Sequence, residues 1–359
     1  MNAEQYAKLR LIRSDGIGPI RFYKLMDHYG AAIKVIENWA DVERRLKSAK
    51  LCDSKKIDWE LKRMATLNVM PIFYDASDYP SQLKDLPDCP PVLMVKGNKD
   101  LLYQKAIAIV GARNSSLNGN KLTYLIAKKL GEYGWKTISG MARGIDKAAH
   151  EGSLSTGTTA VVAGGVDIIY PEENKKLYDK IGEQGVVVSE CAVGTTPQAQ
   201  SFPRRNRLIS ALSRGVLVVE ASLQSGSMIT AENALDQGRE VFAVPGSPLD
   251  PRCRGPNKLI KQGAKLVESA EDILENLPEF SGSLQTAQTA DLFESNISVS
   301  SQTGQKIIES LSSSCISVEV LAEATNLTMG QISAVLTDLE LKEKITRHPG
   351  GRVSLRLHE

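Results

Sequence analysis

The sequence is poor in the residues that build disulfide frameworks, metal sites and aromatic stacking platforms. Its 359 residues contain five cysteines, at positions 52, 89, 191, 253 and 315, and none of them forms a CxxC pair. An odd number of scattered cysteines argues against a disulfide framework and a zinc ribbon, and it is typical of a protein of the reducing cytoplasm. Aromatic residues make up only 5% of the chain, which limits base stacking.

Further absences exclude other classes of protein. No apolar run approaches the roughly 20 residues that a membrane span needs. The first 13 residues carry cations but no apolar segment behind them, so we expect no signal peptide. The four histidines assemble no triad or metal cluster, and no Walker GxxxxGK[ST] motif occurs. We therefore expect no metal, no cofactor and no ATP hydrolysis.

The chain also has little excess of either charge, because its 44 Lys and Arg residues are balanced by 42 Asp and Glu residues and leave a net charge of +2. Such a balance argues against a polybasic nucleic-acid binder, but a net charge conceals local patches. The ordinary hydrophobic content of 42% and charged content of 24% exclude wholesale disorder. The question is whether the cations are concentrated anywhere.

The patterning predicts three domains and a linker. Residues 1–75 show apolar spacing typical of helices, and residues 76–280 alternate short β-branched runs with helical stretches. Residues 281–303 are rich in Ser, Thr and Gln and are predicted to be a linker. Residues 304–359 form a compact, separately patterned tail.

The middle segment predicts an α/β fold, an extended Rossmann-like and mostly parallel sheet with helices on both faces. Its predicted strands are 106–110, 136–138, 159–162, 186–189, 216–220 and 240–244, and its predicted helices include 121–133, 144–152, 173–181 and 229–237. Glycine- and serine-rich turns follow several of the strands. Because ligands bind at the carboxyl edge of such sheets, a phosphate or nucleotide-like ligand is the first expectation.

Two of these turns offer donors to a phosphate. Gly111 lets the backbone approach a ligand, and Arg113 supplies a fork of donors, although an ordinary βα turn with a surface arginine fits equally well. In the second turn, Ser139 and Gly140 present donors, and Asp146 either caps the next helix or accepts from Arg143. His150 is four residues further on, and a structural histidine is favoured there over an acid–base pair.

The other turns and the crossover before the strand at 216–220 add aromatic and cationic side chains. Tyr170 could stack on a base. Lys175 and Lys176 could reach a phosphate, but taken alone they are more typical of a solvated lysine pair. The turn around Gly226 fits a phosphate nest or a plain N-cap. The strongest local signal is FPRRNR, which contains Phe202, Arg204, Arg205, Asn206 and Arg207. Its arginines are expected in a turn near the ligand edge, which predicts the electrostatic centre of a binding groove, and its asparagine either contacts a base edge or closes a turn.

The middle segment resembles the DNA-processing protein A family (DprA, also called Smf). The resemblance covers roughly residues 75 to 277 and rests on an ordered set of segments: IAIVGARNSS, ISGMARGIDKAAHEGSL, GGVDIIYPEENKKL, FPRRNRLISALS, VLVVEASLQSGSMITAENAL, GREVFAVPGS and GPNKLIKQGAKLV. The first turn reads GAR where GSR or GTR is more frequent, so Ala112 lacks a hydroxyl. The resemblance implies a non-catalytic protein that binds single-stranded DNA and loads the RecA recombinase onto it in transformation or related recombination.

The resemblance also implies particular residues. The family's groove carries over to Gly111, Arg113, Ser139, Gly140, Arg143, Asn174, Lys175, Lys176, Phe202, Arg205 and Arg207. A homodimer is implied, with Ile260 and Leu266 as its expected interface, and Leu235 and Glu240 are the expected recombinase contacts. The single-strand-binding protein SSB is a further expected partner.

The flanking segments are less specific. Residues 15–21 (DGIGPIR) resemble a helix-hairpin-helix turn, and a plain αα-hairpin in a SAM-like helical domain fits equally well. Residues 317–353 resemble a winged helix with a glycine-tipped wing. The expected recognition helix has no Lys or Arg before Lys342. A regulatory or partner-binding role therefore fits this domain at least as well as duplex binding does.

Two alternative functions remain from the sequence. A nucleotide-processing enzyme that hydrolyses nucleoside-monophosphate N-glycosidic bonds shares the glycine-rich strand ends, and Glu190 or Glu220 could act as its base, but its PGGxGTxxE signature is absent. A winged-helix transcription regulator is disfavoured by the tail, where 6 cations stand against 7 anions over residues 302–359.

Overall fold

The described residues cover the helical domain, the sheet domain and most of the tail. A computed structural model describes residues 1–277, 302–312, 314–348 and 350–356. The predicted linker at 281–303 lies outside the described residues, apart from its last two positions, which begin a helix. Within the described ranges, no helix is long and apolar enough to cross a membrane.

The N-terminal segment is helical, as predicted. Its helices are α1 (Ala3–Ile12), α2 (Pro19–Tyr29), α3 (Ala32–Glu37), α4 (Trp39–Arg45) and α5 (Ser54–Leu67). Asn2 and Gln5 form a capping box at the start of α1, and Asp53 caps α5. The apolar face of α5, with Ile57 and Met64, packs against the central sheet and joins the two domains.

The central domain is a nine-stranded, mostly parallel sheet. Its strands are β1 (Val69–Phe73), β2 (Val92–Gly97), β3 (Ala106–Val110), β4 (Lys136–Ser139), β5 (Thr158–Val161), β6 (Val186–Ser189), β7 (Gly215–Val218), β8 (Glu240–Ala243) and β9 (Lys265–Leu266). They lie in the order β1-β2-β6-β5-β4-β3-β7-β8-β9, and of these strands only β2 runs antiparallel to its two neighbours, β1 and β6. All six predicted strands are present within two residues of their predicted bounds. The pattern missed β1 and β2, and β1 places the start of the sheet before the predicted domain boundary at residue 75.

Helices cover both faces of this sheet. They are α6 (Leu117–Glu132), α7 (Ile145–Ser153), α8 (Lys175–Gln184), α9 (Ser201–Ala211), α10 (Gly226–Asp236), α11 (Arg254–Lys261) and α12 (Ala270–Glu275). Alternate residues of β3 point to opposite sides: Ile107 and Ile109 pack with α6, α7 and α12, whereas Ala106, Ala108 and Val110 pack with α9 and α10. A strand buried on both faces needs a continuous apolar run, and β3 has one (AIAIV).

The tail folds as a winged helix, as predicted. It contains α13 (Gln302–Ser310), β10 (Ile316–Ser317), α14 (Val318–Thr325), α15 (Met329–Leu341), β11 (Ile345–His348) and β12 (Arg352–Leu355). The strands form a small antiparallel sheet in the order β10-β12-β11, and Gly350 and Gly351 form the tip between β11 and β12. Its own apolar core includes Leu321, Ile332 and Leu336.

Candidate nucleic-acid interface

The strand order creates a crevice at the carboxyl edge of the sheet. Strand β3 pairs with β4 on one side and with β7 on the other, so the chain order reverses at β3. Such a switch point is where open α/β sheets bind their ligands. The glycine turns after β3, β4 and β7 meet there, because Ser227 Oγ donates to Gly111 O at 2.8 Å and Ile145 N donates to Ala112 O at 3.2 Å.

A cation and two aromatic rings stand at this edge. The Arg113 guanidinium lies 5.3 Å from the centre of the Phe202 ring, and the rings of Phe202 and Tyr170 are 5.5 Å apart. Arg113 and Tyr170 are exposed, and Phe202 is half-buried. We call these three residues the edge cluster. They offer a donor fork for a phosphate beside π-faces for a base, which is the pairing used by proteins that bind single strands.

Further exposed cations surround the edge cluster. Arg143 pairs with Glu173 at 3.6 Å, Lys175 with Asp179 at 2.8 Å and Arg204 with Glu190 at 3.0 Å, while Lys176 is exposed. Arg143 therefore reaches Glu173 and not Asp146, the partner that the sequence suggested. Exposed ion pairs contribute little stability, so Arg143 and Lys175 can exchange a carboxylate for a phosphate at small cost. The Glu190 carboxylate that holds Arg204 is buried.

Arg205 is buried beneath the edge cluster. Its Nη1 donates to Val161 O at 2.6 Å, and the adjacent Asp146 carboxylate accepts from Gly140 N at 3.1 Å and Ala142 N at 3.2 Å. A side chain at Gly140 would collide with the Arg205 guanidinium. Burial raises the pKa of Asp146 and lowers that of Arg205 to about 10. This network fixes the loop between β4 and α7.

The same loop carries backbone strain. Met141 is a buried non-glycine residue with a φ of +62°. Asn174 is buried and donates its Nδ2 to the carbonyls of Met141 and Ala142, at 3.0 and 3.2 Å. Strained backbone persists where surrounding contacts over-determine it, as is common at functional sites. In this conformation, Asn174 acts as a support that ties the turn after β5 to the turn after β4.

Arg207 and Asn206 are buried as well. The Arg207 Nη2 atom is 2.6 Å from Glu190 Oε2, and its Nε is 3.0 Å from Asp88. Asn206 donates to Gly226 O at 3.1 Å, and Ser139 donates to Ile109 O at 2.6 Å. The predicted site residues therefore separate into an exposed group and a supporting group below it. DNA contact by the buried members stays a prediction.

The arginine segment was expected in turns, and this expectation was wrong. FPRRNR forms the first two turns of α9, which begins at Ser201. In a helix, Arg205 shares a face with Leu208, Ile209 and Leu212, because they follow it by three, four and seven residues. That spacing was the available signal that Arg205 is buried and Arg204 exposed. The cluster of arginines around Glu190 was not anticipated, since it depends on how α9 and α1 pack against the end of β6.

The carboxylates proposed as catalytic bases both have partners. Glu190 lies between Arg204 and Arg207, and Glu220 accepts from Ser116 N at 2.8 Å and from Ser116 Oγ at 2.6 Å.

His150 contacts Thr158 Oγ1 at 2.7 Å, and burial lowers its pKa to about 3, in agreement with a structural histidine. Among the residues that the structure describes, no cluster of His, Cys, Asp or Glu could hold a metal ion.

Family models match nearly the whole described chain. The model for DNA recombination-mediator protein A matches residues 70–278. The DprA-like N-terminal HHH domain matches residues 2–62, and the DprA winged helix domain matches residues 293–351.

Individual relatives agree with these models. The Escherichia coli Protein Smf is 39% identical over 79% of this chain and 76% of its own length, and the Bacillus subtilis DNA processing protein DprA is 47% identical over 59% of this chain and 72% of its own. The DprA structure from Streptococcus pneumoniae superposes with a TM-score of 0.58 at 35% identity, covering 74% of this chain and 99% of that one. The Helicobacter pylori protein, described for its single-stranded DNA binding mode, superposes with a TM-score of 0.55 at 28% identity over 59% of this chain and 98% of its own.

Proposed function

This chain belongs to the DNA recombination-mediator protein A family, and from that premise we propose that it binds single-stranded DNA at the carboxyl edge of its sheet and delivers it to a RecA recombinase. The observation that carries the DNA-binding half of the proposal is the edge cluster, in which an exposed arginine lies over one of two neighbouring aromatic rings. It has the two elements that a single strand needs, a cation for the phosphate and a ring for the base.

The groove extends on both sides of the edge cluster. Arg143 lies on the turn after β4, Lys175 and Lys176 begin α8, and Arg204 lies in the first turn of α9. Gly111 and Gly226 let the backbone approach the strand, while the buried Ser139, Gly140, Asn174, Arg205, Asn206 and Arg207 hold these turns in place. Because most contacts are ionic, affinity should fall steeply with salt.

Gel shifts with single-stranded and duplex oligonucleotides of the same sequence test the binding. We expect the single strand to bind more tightly at every salt concentration, and a preference for the duplex would contradict the proposal. A nucleotide-turnover assay on the same samples addresses the N-glycosidic hydrolase, for which the paired state of Glu190 and Glu220 offers no support.

Delivery to the recombinase is tested on single strands coated with SSB. We expect the protein to shorten the lag before RecA filaments form on such a substrate. We assign the recombinase contact to Leu235 and Glu240, which are both exposed at the end of α10 and the start of β8. In a βαβ unit that end lies on the sheet edge opposite the groove, so the DNA and the recombinase would occupy separate surfaces.

We assign a homodimer interface to Ile260 and Leu266. Leu266 is 48% exposed on β9, the last strand of the sheet, and Ile260 is partly buried on the adjacent α11. An exposed leucine on an open edge strand favours pairing with a second copy. Sedimentation of a Leu266→Glu variant should show monomers, and a dimer of unchanged affinity would overturn this assignment. We propose a cytoplasmic location for the assembly.

A further inference from the structure

A second basic and aromatic surface lies on the N-terminal domain. Lys55, Lys56, Trp59, Lys62 and Arg63 are all exposed on α5. At 3.6 residues per turn they fall within roughly 120° of the helix circumference. We call this the α5 stripe. With few aromatic residues in the chain, an indole that is 52% exposed among four cations needs an explanation.

The α5 stripe borders a cleft between the two domains. The cleft has a volume of about 420 Å³ and is lined by Lys55, Lys56 and Trp59 on one side and by Ala192 and Val193 on the other. Ala192 and Val193 belong to the loop that follows β6, which starts at the carboxyl edge of the sheet. Gly194 of this loop has a φ of +83°, and a side chain there would lie 3.1 Å from the Trp59 ring, so the loop packs close to the indole.

Direct contacts connect this cleft with the proposed groove. Arg13 lines the cleft, pairs with Glu60 at 3.0 Å and reaches the carbonyl of Glu190 at 3.5 Å. The carboxylate of the same Glu190 holds Arg204 and Arg207 at the start of α9, beside Phe202. The cleft that Trp59 lines is therefore linked through Arg13 and Glu190 to Arg204 at the start of α9.

The charges of the α5 stripe suit a phosphate backbone. Lys55, Lys56 and Lys62 have no ion pair to any residue that the structure describes, and Arg63 lies 5.6 Å from the Trp59 ring while pairing with Asp167 at 2.8 Å. The acidic residues of the same helix are engaged elsewhere, since Glu60 is buried against Arg13 and Asp58 accepts from the hydroxyl of Tyr6 at 2.9 Å. The surface is positive with one stacking ring.

On these grounds we propose that the α5 stripe is a second single-stranded DNA subsite, in which a base stacks on Trp59 and the neighbouring phosphates contact Lys55 and Lys56. This inference rests on the proposed function, because it takes the strand bound at the edge cluster as the one that continues into the cleft. It assigns to the helical domain a part in lengthening the footprint of each subunit.

Oligonucleotide length separates the two subsites. An oligo(dT) of about 5 nucleotides fills only the edge cluster, whereas one of about 25 reaches both subsites, given single-strand site sizes of about 4–16 nucleotides per binding domain. In the full-length chain, Trp59→Ala should weaken binding of the long oligonucleotide about 5- to 160-fold, the loss of one stacked base, and leave binding of the short one unchanged. Trp59→Phe should restore most of the loss, because it keeps a ring.

The lysines provide an independent readout. Lys55→Ala/Lys56→Ala should reduce the salt slope for the long oligonucleotide by about 1.4, at about 0.7 per phosphate for single strands. The matched control is Lys128→Ala/Lys180→Ala, which removes two exposed lysines from α6 and α8 and should leave the slope unchanged. Both variants alter exposed side chains, and thermal unfolding checks that they fold.

Each outcome decides between the alternatives. If Trp59→Ala binds the long oligonucleotide as tightly as the unsubstituted chain, or weakens the short and long ones equally, the second subsite is wrong while the edge cluster stands. If the unsubstituted chain fails to bind either oligonucleotide, the proposed function itself falls. Loss of binding to polyglutamate in Trp59→Ala, without loss of binding to DNA, would assign the stripe to an acidic protein segment and overturn the proposal.

Discussion

The Arg113 guanidinium lies 5.3 Å from the centre of the Phe202 ring, although 88 residues separate the two in sequence. The contact joins the turn after β3 to the start of α9 and leaves both the charge and part of the ring accessible. Each member of the pair should contribute to DNA binding in a different way, so the two can be tested separately.

Removing the ring should cost affinity without changing the salt dependence. We expect Phe202→Ala to weaken single-strand binding by about 1–3 kcal/mol, the contribution of one stacked base. Phe202→Tyr, which retains the ring, should bind within about twofold of the unsubstituted chain, since both rings have a π-face. Titrations at several salt concentrations measure both quantities, and a steep change in salt slope for Phe202→Ala would show that its effect is ionic.

Removing the charge should change the salt dependence itself. Arg113→Ala should lower the salt slope of single-strand binding by about 0.7 if the guanidinium neutralises one phosphate. Arg113→Lys should keep the slope but lose some affinity, because a lysine lacks the planar fork that stacks on Phe202. The matched control is Lys128→Ala, on the exposed surface of α6. An unchanged slope in Arg113→Ala would remove Arg113 from the DNA contact.

Arg205 should behave differently from Arg113, because it is buried. Arg205→Ala leaves Asp146 without its cation and Val161 O without its donor, and breaking a buried pair of this kind costs about 3–5 kcal/mol. We expect this cost to appear as a lower free energy of unfolding, measured by urea denaturation. The salt slope of DNA binding by the folded fraction should be unchanged. A stable Arg205→Ala variant with a reduced slope would instead make Arg205 a direct phosphate contact.

The difference between the exposed Arg113 and the buried Arg205 was not predictable from the sequence, whereas much of the fold was. The continuous apolar runs and glycine turns were sufficient to predict six strands and the edge at which their turns meet, because burial on both faces leaves a local pattern. The strands β1 and β2 were missed, since β1 contains a proline and β2 is reached through a long irregular segment. The sequence pattern identified the cationic segment but not its burial, because a run of charges is normally solvated. Arg205 and Arg207 are buried only because the fold brings them to Asp146 and Glu190.

The candidate site divides in the same way. Arg113, Tyr170 and Phe202 could be proposed from residue type and position, and they do lie together. The support from Asn174 could not be predicted, because it acts on a loop 33 residues away. Asp146 was a candidate cap of its own helix, and it binds the loop just before that helix, but its burial beside Arg205 left no local pattern. Trp59 drew no attention in the sequence because the loop that closes its cleft follows it by more than 130 residues.

The buried His150 predicts a pH dependence of stability. Burial lowers its pKa in the folded protein to about 3, against about 6.5 in the unfolded chain. Between these values the unfolded chain binds a proton that the folded one does not, so this contribution to stability is full above about pH 6.5 and is lost as the pH falls. The slope reaches about 1.4 kcal/mol per pH unit. We expect His150→Gln to be less stable overall, but its free energy of unfolding, measured by urea denaturation, should fall less between pH 7 and about pH 5 than that of the unsubstituted chain. Equal pH slopes for the two proteins would contradict this role of His150.

The winged-helix domain is docked onto the sheet domain through Arg252. Its guanidinium donates to the carbonyls of Glu309 and Leu311, at 2.9 and 2.6 Å, while the buried Asp250 holds it at 3.0 Å. Leu117, at the start of α6 and just after the turn that carries Arg113, packs against the winged-helix core. The position of this domain is therefore fixed close to the proposed groove.

Arg252→Ala should release the domain, because each hydrogen bond from a charged donor contributes about 1.5–3 kcal/mol. We expect the radius of gyration measured by small-angle X-ray scattering to increase, with binding of short oligonucleotides at the edge cluster unchanged. Arg254→Ala removes a neighbouring exposed arginine whose side chain has no hydrogen bond or ion pair to the described residues, and it should leave the scattering curve unaltered.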